Sequence, residues 1–162
     1  MNLRDYQTAL DVFAKYPASS AIQYCLLGAI GEAGEVANQV KKILRDDDGE
    51  LTEARRIKLI DEAGDVCWYV TRLATELGHD LDDCQPVAPQ HISLDEAALQ
   101  MAKSVVELLD FQELGDIQDA LDAIAGVAYF LDTTFEYLLT VNIDKLTGRL
   151  ARGTIGGSGD VR

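Results

Sequence analysis

Four carboxylates in two short runs are the groups of this chain most suited to chemistry: Glu32 and Glu35, then Glu62 and Asp65. Each pair is spaced by three residues, so on a helix its members are surface neighbours one turn apart. Two adjacent helices can then bring four acids towards one point. Such a cluster repels itself at neutral pH unless positive charge sits at its centre, and hard divalent cations favour oxygen ligands. The spacing points to a carboxylate metal site with Glu32, Glu35, Glu62 and Asp65 as its ligands.

Either spacing alone is equally the pattern of a solvated helix face. Three features argue for the site. Gly28, Gly31 and Gly34 surround the first pair, and each mid-helix glycine costs ~1 kcal/mol relative to alanine, which suggests that something must approach closely. Gly28, Glu32, Glu35, Gln39 and Lys42 share the side of the helix away from its main apolar stripe. Glu62 lies at the edge of its own helix's apolar stripe, where an unpaired charge is costly.

Around this centre the chain has the length of one domain, 162 residues, and an ordinary apolar fraction. Its net charge of −14 argues against a nucleic-acid polymer as partner, but a small polyphosphate screened by metal ions remains compatible. Cys25, Cys67 and Cys84 form no CxxC pair, and Cys25 and Cys67 fall in apolar helical stretches, so a reducing compartment is expected. There is no signal-peptide pattern at the N-terminus and no membrane-length apolar run, so the expected location is cytoplasmic, with no membrane partner.

Helical periodicity dominates throughout, and the expected fold class is all-α, a helical bundle. Helices are expected over 3–15, 21–44, 54–77, 93–111 and 117–141. The second carries the stripe Leu26, Ile30, Ala33, Ala37, Val40 and Leu44; the third carries Leu59, Ala63, Val66, Val70, Leu73 and Leu77. Thr52 and Ser93 open helices, Ser93 with Glu96 three residues later, and Gly78 closes one. Pro86 and Pro89 mark a linker over 84–95, and the glycine-rich run after Gly153 reads as a loop.

The stretch from Leu59 to Val70 aligns without a gap on that from Ala120 to Leu131. The apolar stripe and an aromatic pair recur, but Glu62 becomes Ala123 and Asp65 becomes Gly126. In the preceding helices Ser104 stands at the place of Glu32 and Glu107 near that of Glu35. We read a duplicated helical hairpin, over 96–141, whose second copy has lost its acids.

The run Gly31-Glu32-Ala33-Gly34-Glu35-Val36-Ala37 with Lys41-Lys42, followed by Glu62-Ala63-Gly64-Asp65-Val66-Cys67-Trp68-Tyr69, resembles the MazG-like branch of the all-α NTP pyrophosphohydrolases. That family is marked by ExxE, a spacer and ExxD. The tail Asn142-Ile143-Asp144-Lys145-Leu146-Thr147-Gly148-Arg149, with Arg152-Gly153 and Gly157 to Arg162, resembles the end of its small bacterial and phage members. The resemblance covers about 3–83 and 138–162; the segment 84–137 departs from the short members.

What the resemblance implies is hydrolysis of a (deoxy)nucleoside triphosphate to monophosphate and pyrophosphate with Mg²⁺, or Mn²⁺ in its place, by a homodimer or higher homo-oligomer. The single domain would divide into catalytic helices over 1–83, the linker, the degenerate hairpin and a phosphate-contacting tail over 142–162. Glu32, Glu35, Glu62 and Asp65 would be both catalytic and metal-binding. Lys42, Lys145 and Arg149 would neutralise phosphate charge, Asn142 would bond sugar or phosphate, and Trp68 would flank the base. The alternatives are a dUTPase-like specificity and a catalytically silent helical interaction module. A ferritin-like di-iron bundle is disfavoured, because neither His79 nor His91 forms Glu-x-x-His.

Overall fold

Short polar side chains start most of the helices. Asn2, Thr52, Ser93 and Thr134 each accept a hydrogen bond from a backbone N–H three residues on, satisfying a donor the helix leaves unpaired. A reciprocal capping box between Glu113 and Asp116 opens a further helix. The structure, a computed structural model, describes residues 1–90 and 93–155. Its helices are α1 (Leu3–Ala9), α2 (Ala21–Asp46), α3 (Glu53–Glu76), α4 (Leu94–Glu107), α5 (Leu114–Phe130) and α6 (Phe135–Ala151). Short 3₁₀ turns at Leu10–Phe13 and Ala18–Ser20 join α1 to α2. The described residues are helical with no strand, so the all-α expectation holds.

Two hairpins, α2–α3 and α4–α5, pack together, with α4 against α2 and α5 against α3. α6 returns along α3 and meets α1. Gly78 closes α3 at φ +82°, a left-handed conformation that costs glycine little. Among the described residues no helix is long and apolar enough to cross a membrane.

Three expectations need correction. The helix expected over 117–141 is two, broken at Leu131–Thr134, where Asp132 sits at φ +49°. Asp and Thr compete for backbone hydrogen bonds, and aspartate tolerates the left-handed region better than most residues. The break reverses the chain and lays α6 on α3. The helix expected over 3–15 is helical only to Ala9 before tightening into 3₁₀ geometry. The stripe of α2 is rotated: Ala29, Ala33, Val36, Val40 and Ile43 are buried, while Leu44 is 59% exposed. Contact with both α3 and α4 widens the buried arc and moves it round the helix.

In the second hairpin the positions matching the acids are core. Ala123, Gly126 and Ser104 are buried, with Gln100 Nε2 donating to Ser104 Oγ at 3.3 Å. Leu121, Ile124, Val127 and Leu131 complete the burial around them. A carboxylate at Ala123 would be desolvated with no partner cation, which accounts physically for its absence.

Candidate metal centre and its pocket

The α2–α3 hairpin brings Glu32, Glu62 and Asp65 together: each offers an oxygen, and these lie within 4.8 Å of one another. Glu32, Glu62 and Asp65 are the residues that would hold one divalent ion. The donors are all carboxylate oxygens and only partly exposed, a set that suits a hard cation. Glu35 lies outside this trio, one turn further along α2, so the structure groups three of the four expected ligands. Its charge still raises the pKa of both Glu32 and Glu62.

The trio is electrostatically strained without a cation. Burial, then the charges of Asp65 and Glu62, push Glu32 up to about 7, against the opposing pull of Lys145. Glu62 is raised by burial and by Asp61 and Asp65. Asp65 is raised by burial although Lys145 pulls the other way. Lys145 Nζ donates to Asp61 Oδ1 at 2.6 Å and to Asp65 Oδ2 at 2.7 Å. Burial works against its charge, but the two carboxylates outweigh it and raise its pKa.

Asn142, one turn before Lys145 on α6, is 1% exposed. Its Nδ2 donates to Asp65 Oδ1 at 2.8 Å, and its Oδ1 accepts from the buried Tyr6 hydroxyl at 2.7 Å. The amide expected to bond sugar or phosphate is thus engaged inside the protein, where it orients Asp65. Asn142→Ala leaves the Tyr6 hydroxyl without its acceptor, so folding stability should fall by about 1–3 kcal/mol. Divalent-ion affinity should fall by roughly 10–100-fold, the usual cost of losing a group that orients a ligand. Thermal melting and metal titration check the two effects; unchanged affinity would show that Asp65 needs no such support.

A cavity of about 220 Å³ is bordered by Glu32 and Asp65 of the trio and by Tyr24, Trp68 and Tyr69. Lys15, Arg149 and Ile155 also border it. The rings form a connected group: Tyr16–Tyr24 centroids are 4.7 Å apart, and Trp68 meets Tyr69 edge-on at 4.7 Å. Beneath them Arg72, 6% exposed at its side chain, ties Asp11, Tyr16 and Glu76 together, with Nη1 2.6 Å from Asp11 and Nε 2.9 Å from Tyr16 Oη. Gly28 is explained by this packing, since a Cβ there would collide with the Tyr69 ring. A Cβ on Gly31 or Gly34 would meet nothing, so close approach within the chain accounts for one glycine of the three. The Trp68 Nε1 is buried and has no hydrogen-bond partner among the described residues.

Of the expected substrate contacts, Arg149 and Trp68 border the cavity and Lys145 holds the acids beside it. Lys42 does not border it. It lies two turns beyond Glu35 and interacts with Asp46, because seven residues of helix carry it about 10 Å along the axis. Gln39, expected on the polar face, is buried and accepts from Arg55 at 3.1 Å. Lys15, Tyr24, Asp61 and Tyr6 were not foreseen. Asp61, four residues before Asp65, and Tyr24, two turns before Glu32, carry a helical-spacing signal; Lys15 and Tyr6 carry none. Residues 156–162, expected to order over the site, lie outside the described residues, as does His91.

No protein-family model matches the chain, and no solved structure matches it. Over 83 residues it is 46% identical to the Gene 37 protein of Mycobacterium phage L5, a match that spans 48% of this chain and 73% of that protein. The chain belongs to the family of that phage protein.

Proposed function

We propose that this protein is a Mg²⁺-dependent nucleotide pyrophosphohydrolase of the MazG-like type, cleaving (deoxy)nucleoside triphosphates between the α- and β-phosphates. The supporting observation is one cavity bordered by Glu32 and Asp65 of the carboxylate trio, by cationic Lys15 and Arg149, and by aromatic rings. Those three chemistries match a metal-bound triphosphate, its excess negative charge and a planar base. A divalent ion held by Glu32, Glu62 and Asp65 supplies Lewis-acid neutralisation of phosphate charge and makes water a better nucleophile.

The remaining work falls to the chain's own groups. Lys145 and Asn142 hold the Asp65 carboxylate in place through both of its oxygens. Arg149 and Lys15 bind phosphate oxygens, and Tyr24 and Tyr69 cover the base and exclude water from its faces. Glu35, next to the trio but not in it, takes the role of orienting the attacking water and accepting its proton. The three thiols, all buried and unpaired, are consistent with work in the reducing cytoplasm.

The products test the reading. With Mg²⁺ and a panel of nucleoside triphosphates, chromatography should show monophosphate and pyrophosphate rising together, with no orthophosphate while pyrophosphatase is absent. Early orthophosphate with nucleoside diphosphate would place the cleavage elsewhere and refute it.

A further inference from the structure

Arg72 on α3 is a buried cation that pairs with none of the metal-site acids. Its Nη1 donates to Asp11 Oδ1 at 2.6 Å, its Nε to Tyr16 Oη at 2.9 Å and its Nη2 to Glu76 Oε1 at 2.6 Å. The Tyr16 hydroxyl donates in turn to the same Glu76 oxygen at 2.7 Å, which closes the network with a charge-assisted bond. Two of these partners, Asp11 and Tyr16, stand on either side of Phe13 and Lys15, and both of those residues border the acid-lined cavity. The segment between them has little hold of its own. It leaves the 3₁₀ turn at Phe13 and is irregular as far as Pro17. Of the amides of residues 14–16, only that of Ala14 reaches a backbone carbonyl among the described residues, Asp11 O at 3.4 Å. Phe13 is anchored by burial, but Lys15 is exposed and has no ion-pair partner among the described residues.

We propose that Arg72 is a positioning residue for phosphate: it clamps both sides of the Phe13–Lys15 segment to α3 and so holds the Lys15 ammonium at the cavity. This rests on the nucleotide reading above and adds to it the device that places one of its phosphate contacts. A lysine on an unpinned segment would spend part of its binding energy on ordering that segment, and a clamp formed in advance removes this cost. Arginine suits the task because its planar fork sends several N–H groups in fixed directions, which a lysine ammonium cannot do. Glu76, one turn along α3, accepts from both the fork and the Tyr16 hydroxyl and so keeps the two in register.

Calorimetric titration of inorganic triphosphate with Mg²⁺ reads the effect without a base or turnover. Lys15→Met should weaken binding about tenfold, and Arg72→Met by the same order. The double variant should bind less than about twofold more weakly than Lys15→Met alone, because Arg72 acts through Lys15. Mn²⁺ affinity should stay within about twofold in all three, which a general loss of structure would not allow. The fold should survive Arg72→Met, because the side chains of Asp11 and Glu76 are 70% and 25% exposed and water can replace the lost pairing. Tyr16→Phe removes only the hydroxyl and keeps both carboxylate pairs of Arg72, so it carries the same test should Arg72→Met not fold. It should weaken triphosphate about threefold, and not at all in the Lys15→Met background. Unchanged binding in any folded single variant, or equal losses with and without Lys15, would overturn the Arg72 assignment and leave the nucleotide reading intact. Failure of wild type to bind inorganic triphosphate or the α,β-imido analogues of dATP and dUTP would overturn both.

Discussion

Replacing Asp65 with asparagine is expected to cut Mg²⁺-dependent pyrophosphate release by at least ~100-fold, beyond the 10–100-fold typical of losing an outer supporting group. Asp65 is where the site's interactions converge. One oxygen accepts from Asn142 and the other from Lys145, and its carboxylate sits within 4.8 Å of those of Glu32 and Glu62. Asparagine has the same shape but carries no charge and has only one acceptor oxygen. The fold should survive, because Lys145 retains Asp61 at 2.6 Å and the neighbouring core residues Ala63 and Val66 are untouched. Glu62→Gln should give a loss of the same order for the same reason. Steady-state assay with circular dichroism as the fold control checks both; retention of more than a tenth of the activity would remove Asp65 from the site.

The second large effect is on stability without metal. Glu32 is raised from 4.5 to about 7, first by burial and then by Asp65 and Glu62, with Glu35 adding and Lys145 opposing. Between those two pH values the folded state binds more protons than the unfolded one, so stability declines as pH rises. The contribution is fully present below about 4.5 and is lost as pH passes about 7. Allowing for the solvent that reaches this carboxyl, wild type should lose about 1–2 kcal/mol relative to Glu32→Gln between those limits. Metal-free Glu32→Gln should therefore be the more stable protein at pH 8, and saturating Mg²⁺ should reverse that order. Denaturant melts of both proteins at pH 5 and pH 8 decide it. A wild type as stable as the variant at pH 8 would mean that the acids do not strain one another.

Local rules carried much of this in advance. Caps at Thr52 and Ser93 and the terminating Gly78 lie where short-range backbone chemistry puts them. Three-residue spacing within Glu62/Asp65, together with Glu32, sufficed to foresee an acid group between two helices. What was not legible depends on contacts between residues distant in sequence. Tyr6 reaches Asn142 across 136 positions, and Lys145 reaches Asp61 across 84. Such pairings follow from the reversal at Asp132, a single left-handed residue in a stretch whose hydrophobic period continues almost unbroken. Periodicity reports which face is buried, not where the chain turns, so one long helix was expected in place of α5 and α6. The same limit explains Lys42: its helical face suited the site, but its distance along the axis did not.

The account depends most directly on whether Glu32, Glu62 and Asp65 together hold a divalent ion. Titration of Mn²⁺ followed by electron paramagnetic resonance measures this without substrate. The account predicts saturable binding by wild type, competition by Mg²⁺, and loss of that binding in Asp65→Asn with the helical signal intact. Equal Mn²⁺ binding by wild type and Asp65→Asn, or none by wild type, would contradict it.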